Sequence, residues 1–370
     1  MSVVSLGELV SVQTGKLDAN ASSPDGAYPF FTCAREPLRI ADWKYDLDAI
    51  LVAGNGDLNV KHYKGKFDAY QRTYILSSKD ENRVDMRYLY HFMDTYLETL
   101  RAQSIGGIIR YIKLGMLTDA PIPLPPLDEQ KRVAAILDQA DELRRKRLRA
   151  IDRLNRLGQA VFQDMFGARL KSGKPDATIG GISERVTKGE SPKWQGHSYV
   201  DDGALFVTSE NVGWGVMLKK TPKFIPLEFH ERKLARSKLR NGDILINLVG
   251  ASIGRACIFK SSYAEANINQ AVAVVTLPRN SPIADYLLTY ILSPIGQEQI
   301  LGSRVEGARA NISLKNVRDF EFHMPSSLEL ERFVQAKSEV AKAIEQADAA
   351  FIQSNSLFSS LQNLAFQGDL

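Results

Sequence analysis

The sequence predicts a mixed α/β protein that carries its architecture twice: an α/β domain, a long helix, a second α/β domain and a second long helix. The two helices pair antiparallel as a coiled coil about a pseudo-twofold internal repeat. Three observations predict this. A repeat recurs at an offset of 200 residues, each copy opens a stretch of coiled-coil spacing, and the segments ahead carry short strand patterns broken by glycines. The boundaries that follow are 1–125 and 168–325 for the domains, and 126–167 and 326–370 for the helices.

The repeat comes first. Gly107-Ile-Ile-Arg-Tyr-Ile-Lys-Leu114 leads into Asp119 and Pro121-Ile-Pro-Leu-Pro-Pro126, and Gly307-Ala-Arg-Ala-Asn-Ile-Ser-Leu314 leads into Asp319 and Phe322-His-Met-Pro325. Ile112/Ile312, Leu114/Leu314, Pro125/Pro325, Glu129/Glu329 and Arg132/Arg332 agree at the same offset.

Each proline segment opens a helix. Val133, Ile136, Ala140, Leu143, Arg147, Ala150, Leu154, Leu157 and Val161 alternate spacings of three and four, the seam of a coiled coil, with Arg147 as its break. Phe333, Ala336, Val340, Ala343, Ala347, Ala350, Ser354, Leu357 and Leu361 keep the same register, with Ser354 as the break. Ser326-Ser-Leu-Glu329 fits a capping box, Asp128 is placed to cap the first helix, and Gly167 and Gly368 mark the two C-terminal ends. Each pattern spans about 39 residues, or roughly 58 Å, which outruns the face of one domain and calls for a partner helix.

The segments ahead of the helices share an internal order. Ala49–Ala53, Val60–Tyr63 and Thr73–Leu76 read as strands around Gly54-Asn-Gly56 and Gly65, and Asp243–Asn247, Arg255–Phe259 and Ala271–Leu277 do so around Gly250 and Gly254. Each segment ends in a helical stretch, Met86–Arg101 and Ile283–Leu301. They read as two diverged copies of one domain.

Candidate nucleic-acid contacts cluster in loops. Lys61, His62, Tyr63, Lys64 and Lys66, then Gln71 and Arg72, combine cations for phosphates with an aromatic and amides that read base edges. The second segment offers Lys188, Lys193, Trp194, Asn211, Trp214, Lys219, Lys220, Arg255, Asn269 and Gln270. The glycine loops add Arg101, Arg110 and Tyr111 in one copy and Arg304, Arg309 and Asn311 in the other. The first helix also carries Arg144, Arg145, Lys146, Arg147, Arg149, Arg153 and Arg156. Such a run is either a solvated helix face or a surface for phosphates or an acidic partner.

Composition excludes several classes. With 44% hydrophobic and 24% charged residues the chain of 370 residues is that of folded domains, and a net charge of +4 places the weight on where the cations sit. No apolar run reaches a membrane span of roughly 18–20 residues and the start lacks the regions of a signal peptide, so a cytoplasmic protein is expected. Cys33 and Cys257 have no partner spacing and read as small core residues, and the five histidines have no ligand spacing. Catalytic residues, a metal site and a cofactor site are not expected in this chain: it has no Asn-Pro-Pro-Tyr, GxGxxG, GxxxxGK[ST] or HExxH.

Together these features resemble the specificity subunits of Type I restriction-modification systems. The resemblance is carried by Ile122-Pro-Leu-Pro-Pro-Leu-Asp-Glu-Gln-Lys-Arg132, its degenerate copy Phe322-His-Met-Pro-Ser-Ser-Leu-Glu-Leu-Glu-Arg332, the ending Ser359-Ser-Leu-Gln-Asn-Leu-Ala-Phe-Gln-Gly-Asp-Leu370 and the strand Asn241-Gly-Asp-Ile-Leu-Ile246. Ser326 and Leu330 depart from the proline and glutamine of the family pattern. The resemblance implies two target recognition domains, each binding one half of a bipartite, asymmetric site in double-stranded DNA, held apart by the helices. It implies two modification (methyltransferase) subunits that bring S-adenosylmethionine and methylate adenine. It also implies restriction subunits that use ATP and Mg to translocate and cut. Two other classes stay open: a fragment of a fused restriction-methylation enzyme, and a coiled-coil interaction protein with no DNA role.

Overall fold

The apolar run Ala49-Ile-Leu-Val-Ala53 is buried throughout, which places it in the middle of a sheet covered on both faces. In the computed structural model, which describes residues 2–107, 109–303 and 311–370, this run is the end of a central strand. The chain divides into two units, residues 1–150 with 347–370, and residues 151–346. Both are mixed α/β, as the sequence predicts.

The first unit runs β1 (Ser2–Ser5), α1 (Leu6–Leu9), β2 (Val10–Thr14), β3 (Tyr28–Phe31), β4 (Leu38–Ile40), β5 (Tyr45–Ala53), β6 (Val60–Ala69), β7 (Thr73–Ser78), α2 (Met86–Gln103), α3 (Leu114–Thr118), β8 (Pro121–Leu124) and α4 (Leu127–Ser172), whose later part enters the second unit. Six strands form one sheet in the order β2-β7-β5-β6-β3-β4. Strand alternation sends Ile50 and Val52 of β5 to a core shared with Leu89, Met93 and Leu97 of α2, and Ala49 and Leu51 to a smaller core around Phe31 and Phe67. Asp85 caps α2 by accepting from the amides of Arg87 and Tyr88 at 3.0 and 2.9 Å.

The second unit continues with β9 (Ala177–Thr178), α5 (Ile179–Ile182), β10 (Arg185–Lys188), β11 (Ala204–Val207), β12 (Phe224–Ile225), α6 (Leu227–Arg232), β13 (Ile244–Asn247), β14 (Ala256–Ile258), β15 (Ala266–Ile268), β16 (Val272–Thr276), α7 (Ile283–Leu292), α8 (Pro294–Gly302), α9 (Leu314–Arg318), β17 (Glu321–Phe322) and α10 (Ser327–Gln367). Its main sheet, β10-β16-β13-β14, repeats the order β2-β7-β5-β6 of the first unit. A parallel pair also recurs: β3 lies on the end of β6 with Phe30 opposite Asp68, and β11 lies on β15 with Leu205 opposite Ala266. Two glycines mark the shared framework. A Cβ on Gly15 would stand 2.0 Å from the carbonyl oxygen of Ala69, and one on Gly189 would stand 1.7 Å from that of Ile268. Each follows the first strand of its sheet, where the crossing backbone leaves no room for a side chain.

Within each unit the long helices run antiparallel. In the first, Arg132 donates to the carbonyl of Leu370 and Arg147 to the carbonyl of Ala350 and the hydroxyl of Ser354. The two seam breaks therefore meet each other, one side chain donating and the other accepting. In the second, Phe333 packs on Phe162 and Phe166 at 5.8 and 5.7 Å, and Arg169 pairs with Glu329 at 3.6 Å. The capping box at α10 is present, with the Ser326 amide donating to Glu329 at 2.7 Å, and Gly368 follows the helix with φ +92°.

Several expectations fail. α4 passes through Gly167 and stops at Ser172, because Phe166 and Leu170 keep the buried stripe going. It starts at Leu127 on the carbonyl of Pro126, so Asp128 lies inside the first turn. The seam positions Leu143, Leu157 and Leu357 are exposed; near the helix end it is Phe358, Gln362 and Ala365 that are buried, as the stripe turns toward the domain. The single helix expected over 283–301 is two, broken where Pro294 follows Ser293 and supplies no amide donor. β6 runs unbroken through Gly65, and Cys33 is half-buried, its thiol directed at Asn55 Oδ1 at 2.9 Å. Among the described residues no helix is long and apolar enough to cross a membrane.

Candidate nucleic-acid interface

In both units the candidates that come together lie at one end of the main sheet. In the first, Gly54 closes β5, its amide donating to the Arg72 carbonyl at 2.8 Å and its carbonyl accepting from Ile112 at 3.0 Å. Gly56 donates to the carbonyl of Arg110 at 2.9 Å. Three separate stretches thus bring Gln71, Arg72, Arg110 and Tyr111 to one edge. Gln71, Arg72 and Tyr111 line a cleft of about 180 Å³ there with Thr14 and Tyr74.

The basic stretch lies on one strand, β6, which continues past Gly65 where a loop is expected. Lys61 donates to the Thr32 carbonyl at 3.4 Å and to the Asn59 amide oxygen, and burial brings its pKa down to about 8. Tyr63 packs on Phe31 and Phe67. His62 Nε2 faces Asp48 at 2.7 Å and its Nδ1 faces Arg87 at 3.1 Å; burial pushes its pKa below the ordinary imidazole value. Lys64 pairs with Asp48 at 3.4 Å, and Lys66 lies over Trp43 at 4.5 Å. Lys61, His62 and Tyr63 line a cleft of about 800 Å³ with Arg35, Arg87, Arg145 and Arg149, but also with Glu36, Asp138, Asp141 and Glu142. Arg87 and His91 both face Asp138, which burial pushes up and their hydrogen bonds bring down to a net lowered pKa. That lining sets five cations against four acids, so most of its charge is matched.

In the second unit the Ile312 amide donates to the Leu248 carbonyl at 2.9 Å and Leu248 donates to the Ala271 carbonyl at 2.9 Å, the same stitching as around Gly54. Arg255, Asn269, Gln270 and Asn311 gather there. The turn carrying Trp214, 56% exposed, joins them through the Gly215 amide, which donates to Ala256 at 2.8 Å. Asn211, Lys219 and Lys220 line a separate groove of about 380 Å³. Its rim also holds Lys223, Lys260 and Tyr263, which sequence reasoning missed because they come from loops far apart in the chain. Asn211 accepts from the Thr208 amide at 2.9 Å and so also shapes the turn. Lys193 and Trp194, the latter 76% exposed, sit on a turn that joins neither set. Arg304 and Arg309 lie outside the described residues.

The arginine run on α4 is largely matched by acids one turn away. Arg144 and Arg145 pair with Asp141, Lys146 with Glu142 at 2.7 Å and Arg156 with Asp152 at 2.8 Å; among the described residues Arg149 and Arg153 form no ion pair. His230, Glu231 and Glu265 lie close enough to suit a cation. However, Asn267 Nδ2 donates to His230 Nδ1 at 3.1 Å, which puts the ring proton on Nε2, where it donates to Glu265 at 2.8 Å. An Nε2–H is not a ligand, so this is a hydrogen-bond chain.

A family profile described as the Type I restriction modification DNA specificity domain matches residues 1–153. The specificity subunit of the Type I restriction enzyme EcoDI of Escherichia coli is 43% identical over 135 residues, 36% of this chain and 30% of that protein. The EcoBI specificity subunit of Escherichia coli is 26% identical over 361 residues, 89% of this chain and 74% of that protein. In fold, the crystal structure of a Type I system S subunit from M. genitalium superposes with a TM-score of 0.59 at 16% identity, covering 99% of this chain and 96% of that one. Residues 1–153 are thus similar to the Type I restriction modification DNA specificity domain, and the chain as a whole is similar in sequence order and fold to the specificity subunits of Type I restriction enzymes.

Proposed function

We propose that this chain reads DNA sequence as the specificity subunit of a Type I restriction-modification enzyme and supplies no chemistry of its own. Each unit binds one half of a bipartite, asymmetric site through the end of its main sheet, and the antiparallel helices set the distance between the halves. Two modification subunits bring S-adenosylmethionine and methylate an adenine in each half, and restriction subunits add ATP- and Mg-dependent translocation and cleavage. The observation that carries the reading is the shared framework: the same strand order ends in the same stitched loops, but with different side chains at the edge. Two copies of one framework that carry different side chains at that edge suit two different half-sequences. A link between the two turns two weak contacts into one strong one through effective concentration.

The test is an exchange at Gly173 and Pro325, replacing the intervening segment by that of another specificity subunit and mapping methylation with the modification partner. One half-site changes and the other stays. A change in both halves, or in neither, would overturn the assignment of one unit to one half.

A further inference from the structure

Among the described residues, four buried side-chain atoms of the second unit have no hydrogen-bond partner: His323 Nε2, which lies apart after β17, and Asn247 Oδ1, Arg255 Nε and Gln270 Oε1, which sit on adjacent strand ends. Asn247 ends β13, and its amide donates to the Arg255 carbonyl at 2.8 Å. It lies opposite Val272, and the next residue, Leu248, is bonded to Ala271 beside Gln270. Asn247 is fully buried, its Nδ2 held by the Ser209 carbonyl at 3.0 Å. Native proteins satisfy nearly all buried polar groups, so three orphans on adjacent strand ends need a cause.

The framework is not that cause. In the first unit the matching positions are Ala53, Asn59 and Gln71, since the Ala53 amide donates to Asn59 and Gly54 to Arg72. There Asn59 donates to the carbonyls of Cys33 and Asp57, each at 2.8 Å, and accepts from Lys61. Among the described residues, the buried orphan of that unit is His91 Nδ1, on α2.

Arg255 and Gln270 are only half-buried, so part of each side chain is open to a ligand at this edge, and its chemistry selects that ligand. A phosphate offers acceptors alone, and would bring negative charge beside two amide oxygens that already lack donors. A base edge in the major groove offers donors and acceptors together. Arg255 forms no ion pair among the described residues, and a guanidinium matches guanine O6 and N7 with two parallel bonds. We propose, resting on the reading above, that Arg255 is a specificity-determining residue of the second unit that reads a guanine. Gln270 reads the adjoining base, and Asn247 is the positioning residue that ties the Ser209 turn to this edge.

The experiment maps methylation by the assembled complex with its modification subunits over a library of half-sites, for the natural chain, Arg255→Ala, Arg255→Lys and Gln270→Ala. Arg255→Ala lowers discrimination at one base pair of one half-site by about ten- to a hundredfold and leaves the other positions alone. Arg255→Lys, which keeps charge and bulk but loses the two-pronged fork, does the same with an unchanged melting temperature, separating readout from folding. The salt dependence of binding stays as it was. Weakening that is uniform across sequences, with a slope smaller by about 0.9, would make Arg255 a phosphate contact and overturn this inference while sparing the proposed function. Unchanged discrimination in both Arg255 variants would also overturn it. A natural chain with no sequence preference would overturn the proposed function itself, and this inference with it.

Discussion

Where the first unit has one strand, β6, the second has two. β14 takes the place beside the central strand and β15 the place beside the parallel strand, with residues 259–265 looped between them. The unbroken strand keeps its charged side chains on a regular surface, where they find partners such as Asp48, Asn59 and Trp43. The broken one opens a groove whose rim includes Lys219, Lys220, Lys223 and Lys260. The difference teaches that the framework tolerates changes at its fourth strand because the buried centre, β5 or β13, pairs with its other neighbour unaltered.

The largest effect is expected where the framework itself is struck. Gly189→Ala puts a methyl on the Ile268 carbonyl and should cost on the order of 4 kcal/mol, with Gly15→Ala similar in the first unit; thermal unfolding measures both. A loss in one unit alone would show that the two frameworks are not equally tight. Next comes the way each unit holds α4. Phe162 sits in an aromatic cluster with Phe166, Phe333 and Tyr286, so Phe162→Ala should cost about 3–5 kcal/mol. Asp138→Asn weakens only the bonds from the partly exposed Asp138 to Arg87 and to the buried His91, about 1–2 kcal/mol by denaturant titration. Equal costs would erase the contrast between an apolar and a polar anchor.

That contrast extends to pH. Burial holds His62 and His91 below the ordinary value of 6.5, so the unfolded chain takes up protons first as the pH falls. Stability of the first unit is therefore full above 6.5 and declines below it, and replacing both histidines by Gln should flatten the decline between about pH 7 and pH 5. Chemical denaturation across that range reads it, and a profile that stays steep would move the cause elsewhere. The smallest effect is electrostatic. Lys219→Ala with Lys220→Ala should reduce the salt slope of DNA binding by about 0.9 per lost contact, more than Lys64→Ala does, since Lys64 already pairs with Asp48. The reverse order would put the phosphates on β6.

The long helices were legible because a heptad seam is local, and its two polar breaks, Arg147 and Ser354, were legible as exceptions that turn out to meet. Such a polar pair inside a seam favours one register over its neighbours. Strand order was not legible, because pairing between β3 and β6 or β11 and β15 joins residues far apart in sequence. Val60–Tyr63 was legible as a strand, but its continuation past Gly65 looked like a loop because polar side chains hide the strand beneath them. Of the candidate contacts, Gln71 with Tyr111 and Arg255 with Gln270 were brought to sheet ends by carbonyl and amide bonds that no side-chain pattern records. Asn247 carried no signal at all: in sequence it is a polar residue at the end of an apolar strand.

Each domain begins and ends on a pair of neighbouring strands. β1 runs against β8, with Ser2 opposite Leu124, and β9 runs against β17, with Thr178 opposite Glu321. The chain thus enters and leaves each domain through neighbouring strands, like the two pins of a plug. A segment with adjacent ends can be excised and replaced by recombination without stretching or shortening the helix it hangs from. Under the proposed function, the repertoire of sites then grows as the product of the two sets of domain variants.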